Sequence, residues 1–197
     1  MEFESVGLEG ACLVVPEKRG DERGFFARVW CREELVARGL VADVAQANVS
    51  RTRTAGTVRG LHYQIPPVAE AKLVRCTRGA IHDVVVDLRP ESPTRLQWTA
   101  VKLTGDDHRM MYVPPGFAHG FQALTDGAEA FYMVSAPYSP AHERGARPDD
   151  PAFSIHWPLP ITSVSEKDRS WPDFQGDDDL AGLGSEGATS ESAGVRP

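Results

Sequence analysis

Apolar residues in this chain never run far before a turn residue interrupts them, and that punctuation limits the fold more than any other feature. Short runs rich in β-branched residues occupy 11–15, 72–76, 81–88, 98–103, 110–113 and 130–135, with Gly, Pro and Asp between them. Runs so short suit strands, and several of them under Gly and Pro punctuation close into a sandwich or barrel. The expected class is therefore all-β, a sandwich or barrel with a few short helices. Helix is expected over 31–38 (CREELVAR), where Gly39 ends it, and as a single turn opened by Ser139-Pro140. Ser165-Glu166-Lys167-Asp168 matches the capping-box pattern of a helix start.

The run of signals stops before the C-terminus. Residues 175–197 are rich in Gly, Ser, Ala and Asp and carry no aromatic residue. Such a segment cannot bury enough surface to offset its ordering entropy, so it reads as a disordered tail behind one domain over 1–174. The tail holds Asp177, Asp178, Asp179, Glu186 and Glu191 against Arg196, a net −4 of the chain's −7, which leaves −3 on the domain. That balance argues against a nucleic-acid partner, which needs a basic face. No apolar run approaches the roughly 18 residues of a membrane span. Met1-Glu2-Phe3-Glu4-Ser5 lacks the basic-then-apolar pattern of a secretion signal, so the cytoplasm is the expected location. Cys12, Cys31 and Cys76 have neither metal nor redox spacing and fit a reducing compartment as small apolar residues.

Strand alternation then sorts the polar side chains by face. In the run after Pro66-Pro67, Lys72 shares a face with Val74 and Cys76, an inward placement that is costly unless the ammonium is paired or used. Tyr132 shares a face with Ala130 and Val134, so its hydroxyl needs a partner, and a core tyrosine satisfied by a hydrogen bond is the plainer reading. In Arg59-Gly60-Leu61-His62-Tyr63-Gln64, strict alternation sets Arg59 and His62 on opposite faces. A bend or bulge at Gly60 would bring both to one pocket. His62 is the natural candidate for proton abstraction, its unperturbed pKa lying near neutrality; a structural histidine is the plainer reading. The segment Pro114-Pro115-Gly116-Phe117-Ala118-His119-Gly120-Phe121 has the density of a tight loop, with His119 either bonded within it or lining a pocket. Asp168 is a helix cap on one reading and a carboxylate orienting His62 on the other.

These segments in this order resemble the dTDP-4-dehydrorhamnose 3,5-epimerase family, similar in fold to cupins. The resemblance spans residues 1–174 and is carried by Asp21-Glu22-Arg23-Gly24-Phe25-Phe26, Gln46-Ala47-Asn48, RGLHYQ with the di-proline, Lys72-Leu73-Val74, DVVVD from Asp83 to Asp87, Ser92-Pro93-Thr94, PPGFAHGF, Glu143 and SEKD. It implies a cupin-like jelly-roll sandwich or barrel and an enzyme that epimerises C3 and C5 of dTDP-4-keto-6-deoxyglucose through an enolate. It also implies no cofactor or metal, a dTDP-linked 4-keto-6-deoxysugar as partner, and a homodimer whose strands cross between subunits.

Carried onto matching positions, the resemblance makes His62 the base with Asp168 as its dyad partner. Tyr132 becomes the acid on the other side of the ring, and Lys72 the cation beside the C4 oxygen. Arg23 and Arg59 become diphosphate or sugar contacts and Tyr138 the ring that stacks on thymine. Gln46, Asn48, His119, Glu143 and Lys167 become further substrate contacts, with Asp83 behind them. Inversion beside a ketone requires a base and an acid on opposite faces and a fixed donor for the enolate oxygen, which suits this inventory. One position departs from the pattern: Arg28 stands where the family usually has Glu. It counts among the expected substrate contacts, and the charge reversal leaves open a mono-epimerase acting at one carbon. Three rivals are a metal-dependent cupin, a ketoisomerase of an antibiotic deoxysugar pathway, and a binding module that kept the barrel without the chemistry. The first needs a His-x-His pair that RGLHYQ lacks.

Overall fold

Two antiparallel sheets lie face to face, and the computed structural model describes residues 1–176. In chain order the elements are β1 (Glu2–Ser5), β2 (Cys12–Val15), β3 (Lys18–Asp21), β4 (Gly24–Ala27), α1 (Arg32–Val36), β5 (Gln46–Thr52), β6 (Val58–Gln64), β7 (Lys72–Arg78), β8 (Ala80–Asp87), β9 (Trp98–Thr104), β10 (Met110–Val113), β11 (Phe117–Ala123), β12 (Ala128–Val134), β13 (Glu143–Gly145) and α2 (Glu166–Ser170). One sheet runs β1-β2-β10-β7-β12-β5, the other β13-β6-β11-β8-β9, and β3 with β4 forms a separate hairpin. The architecture is an all-β sandwich, as the punctuated runs predict. The acidic tail falls outside the described residues from position 177 onward.

Alternation explains why so many strands are buried on both faces. From β7, β8, β10, β11 and β12, the side chains of Val74, Cys76, Ile81, Val85, Met111, Phe117, Phe121 and Ala130 point between the sheets and fill the central core. Non-strand chain covers part of each opposite face. Ala146, Phe153 and Trp157 pack on Leu61, Tyr63, Val84 and Val86 outside the five-stranded sheet. Leu35 of α1 and Ala42 pack on Val14, Leu73, Met110 and Tyr112 outside the six-stranded sheet. Cys76 is buried and Cys12 half-buried, and burial pushes the Cys12 thiol up to about 11, consistent with apolar rather than reactive use.

Each of the six predicted runs overlaps an observed strand, and residues 31–38 hold the short helix. Gly39 follows that helix at φ +72, where its positive φ closes the turn. The loop expected over 114–121 is corrected by the structure. Only Pro114–Gly116 turns, and β11 is a central strand paired with both β6 and β8. Its glycine and histidine lie between two neighbours, so the composition that suggested a loop instead permits close strand packing.

Candidate active site

The central core fills one end of the space between the sheets, and polar side chains line the other. Two adjoining cavities of about 420 and 410 Å³ share His62, Lys72 and Tyr132 in their walls. His62 belongs to β6 in the five-stranded sheet, whereas Lys72 and Tyr132 belong to β7 and β12 in the six-stranded sheet. Imidazole on one wall therefore faces ammonium and phenol on the other.

The expected bulge at Gly60 is present. His62 pairs with His119, but Arg59 pairs with Phe121, so three steps along β6 match two along β11. The extra residue rotates Arg59 onto the face of His62, and both line the first cavity. Gly60 sits at φ +112, and a Cβ there would lie 2.6 Å from the Gly120 Cα, so no larger residue fits. Arg59 is held by bonds from its guanidinium to Thr52 Oγ1 and to the Arg51 carbonyl.

Asp168 lies against His62 and leaves the capping of α2 to the hydroxyl of Ser165. Its backbone N–H donates to Ser165 Oγ at 3.0 Å, capping α2, which leaves the carboxylate free for another partner. Asp168 Oδ1 lies 2.6 Å from His62 Nε2, and Oδ2 accepts from the Gly60 N–H at 3.2 Å. Burial acts to raise the carboxyl pKa, but the bonds from His62, Gly60 and Ser165 outweigh it and hold the group below the usual aspartate value. A carboxylate accepting a hydrogen bond from Nε2–H keeps the proton on Nε2 and leaves the imidazole lone pair on Nδ1.

A second histidine–carboxylate pair lies alongside. His119 Nε2 is 2.8 Å from Oδ1 of the fully buried Asp83, and His119 lines the first cavity next to His62. Opposite, Lys72 Nζ donates to the His62 carbonyl at 3.1 Å. Burial raises the pKa of the Tyr132 phenol, with the Arg59 charge pulling it back, and the net shift is upward.

The outer part of the cleft is organised around Tyr138, an exposed ring. Its backbone N–H donates to Gln46 Oε1 at 2.8 Å and its hydroxyl to Glu143 Oε2 at 2.6 Å. Lys167 Nζ donates to the same carboxylate oxygen at 2.5 Å and stands 6.0 Å from the ring centroid. Burial opposes ionisation of Glu143, but Lys167 and Tyr138 together hold its pKa low. Asn48 faces Tyr132 across the β5–β12 register and lines the second cavity.

Of the residues expected at the site, His62, Tyr132, Asp168, Lys72, Gln46, Asn48, Arg59, His119, Tyr138, Glu143 and Lys167 all line the two cavities, with Asp83 directly behind. Arg23 and Arg28 do not. Arg23 sits at the hairpin turn between β3 and β4, its guanidinium 85% exposed and paired with Asp21. Arg28 pairs with Glu34 at 3.2 Å, away from both cavities. Three residues not anticipated also shape the cleft. Gln64 bonds the Val68 and Pro137 carbonyls and the Ser139 N–H, fixing the segment that carries Tyr138. Ser50 lines the first cavity, and Glu70 lies against Lys72. Glu70 was legible: alternation puts it on the face of Lys72, two residues on. Among the described residues no three His, Cys, Asp or Glu side chains converge as a metal-ligand set.

A sandwich that sets a histidine–carboxylate pair against an ammonium and a phenol defines a class, the all-β enzymes with acid–base groups on both walls of the cleft. Residues 5–176 match the family model described as dTDP-4-dehydrorhamnose 3,5-epimerase. A dTDP-4-dehydrorhamnose 3,5-epimerase from Sinorhizobium fredii is 46% identical over 177 residues, covering 87% of this chain and 89% of its own. A dTDP-4-dehydrorhamnose 3-epimerase from Streptomyces niveus is 40% identical over 171 residues, covering 86% and 82%. The crystal structure of the Bacillus anthracis 3,5-epimerase, with TDP and PPi bound, superposes with a TM-score of 0.84 at 40% identity, covering 88% of this chain and 99% of that one. The chain belongs to the dTDP-4-dehydrorhamnose 3,5-epimerase family.

Proposed function

We propose that this cleft inverts C3 and C5 of dTDP-4-keto-6-deoxyglucose, giving dTDP-4-keto-L-rhamnose, by proton removal and return through an enolate. The observation that carries this reading is the opposition of His62 and Tyr132 on the two walls, with Lys72 beside both. In the reaction, His62 takes the proton on Nδ1, and Asp168 stabilises the imidazolium. Lys72 donates to the C4 oxygen as charge develops there, where a fixed donor in a water-poor site is most effective. Tyr132, kept protonated by burial, returns a proton from the other face. Arg59 and His119 hold the diphosphate and sugar, Arg59 by its planar fork. Tyr138 takes the thymine ring, flanked by Gln46, Asn48, Glu143 and Lys167. Holding these remote groups orients the reacting carbon.

The same reading extends to assembly. The β3–β4 hairpin belongs to neither sheet and carries exposed Phe25 and Phe26 beside Arg23, which is a surface suited to a second copy of the chain. We propose a homodimer in the cytoplasm in which this hairpin reaches the partner's cleft and so brings Arg23 and Arg28 near substrate. No helix among the described residues is long and apolar enough to cross a membrane.

Incubation with dTDP-4-keto-6-deoxyglucose in D₂O tests the reaction. Deuterium at both C3 and C5 is the expected result, and none at either position sinks the proposal. The 3-epimerase relative and Arg28 favour one second reading, a mono-epimerase, for which label enters at one carbon only. Movement of the ketone to another carbon, read by NMR, would mark a ketoisomerase.

A further inference from the structure

Glu70 is a buried carboxylate that the reaction above does not use. It stands two residues before Lys72 in extended chain, so the two side chains share the cleft-facing side. Its side chain is 7% exposed, that of Lys72 10%, and Oε1 lies 3.2 Å from Lys72 Nζ. The other carboxylate oxygen, Oε2, is buried with no hydrogen-bond partner, and Lys72 is the only ion-pair partner of Glu70 among the described residues. The residue between them is pinned on both sides, since the Ala71 N–H donates to Ser135 Oγ at 2.8 Å and the Ser135 N–H to the Ala71 carbonyl at 3.0 Å.

An ammonium carries three N–H donors. One goes to the His62 carbonyl and one faces Glu70 Oε1, which leaves a single N–H for the cavity. We propose that Glu70 is a positioning residue: it fixes the rotation of the Lys72 ammonium so that its remaining N–H is aimed at the oxygen on which negative charge develops. The assignment rests on the epimerase reading of the cleft. Lysine is a flexible four-carbon stem ending in a freely turning head, so a donor on it is preorganised only if something holds the head. A carboxylate held away from water, with no other cation to attract it, supplies that hold. Stabilisation of a developing charge depends on donors fixed before the charge appears, and a misplacement of about an ångström costs about a hundredfold in rate.

The test compares Glu70→Ala and Glu70→Gln with the parent, using C3 deuterium exchange and TDP binding. Glu70→Ala should lower kcat by about tenfold to a hundredfold, with KM and TDP affinity within about twofold. Glu70→Gln, which keeps an oxygen able to accept from Nζ, should recover part of the loss. In a Lys72→Met background Glu70→Ala should cost nothing further, because there is no ammonium left to aim. An unchanged kcat in Glu70→Ala overturns the proposal, as does the same loss in both backgrounds, which marks a merely structural carboxylate. A second readout does not depend on turnover. The Lys72 ammonium should give a ¹⁵N resonance, assigned by its loss in Lys72→Met, that moves and exchanges faster with water in Glu70→Ala although its bond to the His62 carbonyl remains. A resonance unmoved and unchanged in its exchange with water overturns the proposal even in a parent that incorporates no deuterium, whereas absence of incorporation alone counts against the epimerase reading.

Discussion

The imidazole of His62 meets a carboxylate 106 positions further along the chain, and what makes it a base is that meeting. Asp168 fixes the tautomer and compensates the imidazolium, so Asp168→Asn, which keeps the shape but loses the charge, should lower kcat by about 10²–10⁴-fold. Thermal melting should move far less, because the amide can still accept from the Gly60 N–H. A kcat within a few-fold of the parent would remove Asp168 from the mechanism. Tyr132 supports a different measurement. Burial shifts its phenol above the ordinary value of 10.0, so it keeps its proton through neutral and mildly alkaline pH. The ratio of C5 to C3 inversion should therefore stay constant over about pH 6–9. Tyr132→Phe should depress the C5 outcome more than proton loss at C3. Equal loss of both exchanges, or a ratio that falls well below pH 9, counts against Tyr132 as a selective acid. Much of this is visible in sequence because period-two alternation holds around Lys72 in β7 and Tyr132 in β12. It put Lys72 and Tyr132 on inward faces, and it applies equally to Glu70, two residues before Lys72. The pairing of His62 with Asp168 is a different matter, since no local pattern encodes a contact between distant segments and only the family motifs pointed to it.

At the scale of the element, the cleft depends on a defect in one strand pair. Without the extra residue opposite Gly120, Arg59 would point to the far side of β6 from His62, and the cavity would lose its guanidinium. The defect is possible because two glycines meet: a Cβ on Gly120 would lie 2.7 Å from the Arg59 carbonyl, just as one on Gly60 would meet Gly120. Gly60→Ala adds a side chain to a positive φ and to an occupied space together, which should cost about 2–4 kcal/mol. In a chain of this size that corresponds to a fall in Tm of roughly 4–16 °C, measurable by calorimetry. Gly39→Ala is the control, since a Cβ there meets nothing within 4 Å and only the φ is strained. A Tm for Gly60→Ala no lower than for Gly39→Ala would mean that the β6–β11 approach tolerates a methyl group. The bulge was legible from a chemical demand, two polar residues needing one face, with Gly60 between them to supply the freedom. β11 was misread for a related reason. Gly, Pro and aromatic residues mark an exposed loop by composition, yet the same residues let a central strand lie tightly between two neighbours, and composition does not distinguish the two.

For the whole molecule the question is how one chain completes its site. The two sheets enclose the cleft, and the β3–β4 hairpin projects from them with Phe25, Phe26 and Arg23 exposed. Arg23 and Arg28, the two expected contacts that do not line the cavities, lie on or just beyond this hairpin. Their distance from the cleft has a simple resolution if each hairpin serves the other copy of a two-fold dimer, where one surface patch recurs on both subunits. Such an arrangement predicts complementation. A chain carrying His62→Ala keeps a working hairpin and lacks the base; a chain carrying Arg23→Ala with Phe26→Ala keeps the base and lacks the hairpin. Neither homodimer should show more than a small part of the parent's C3 exchange at low substrate concentration. A mixed dimer, isolated by two different affinity tags, contains one cleft with both components intact. It should recover about half of the parent rate, since a two-fold dimer has two equivalent sites. If each cleft instead used its own hairpin, neither cleft of the mixed dimer would be whole, and mixing would give only the average of the two impaired parents.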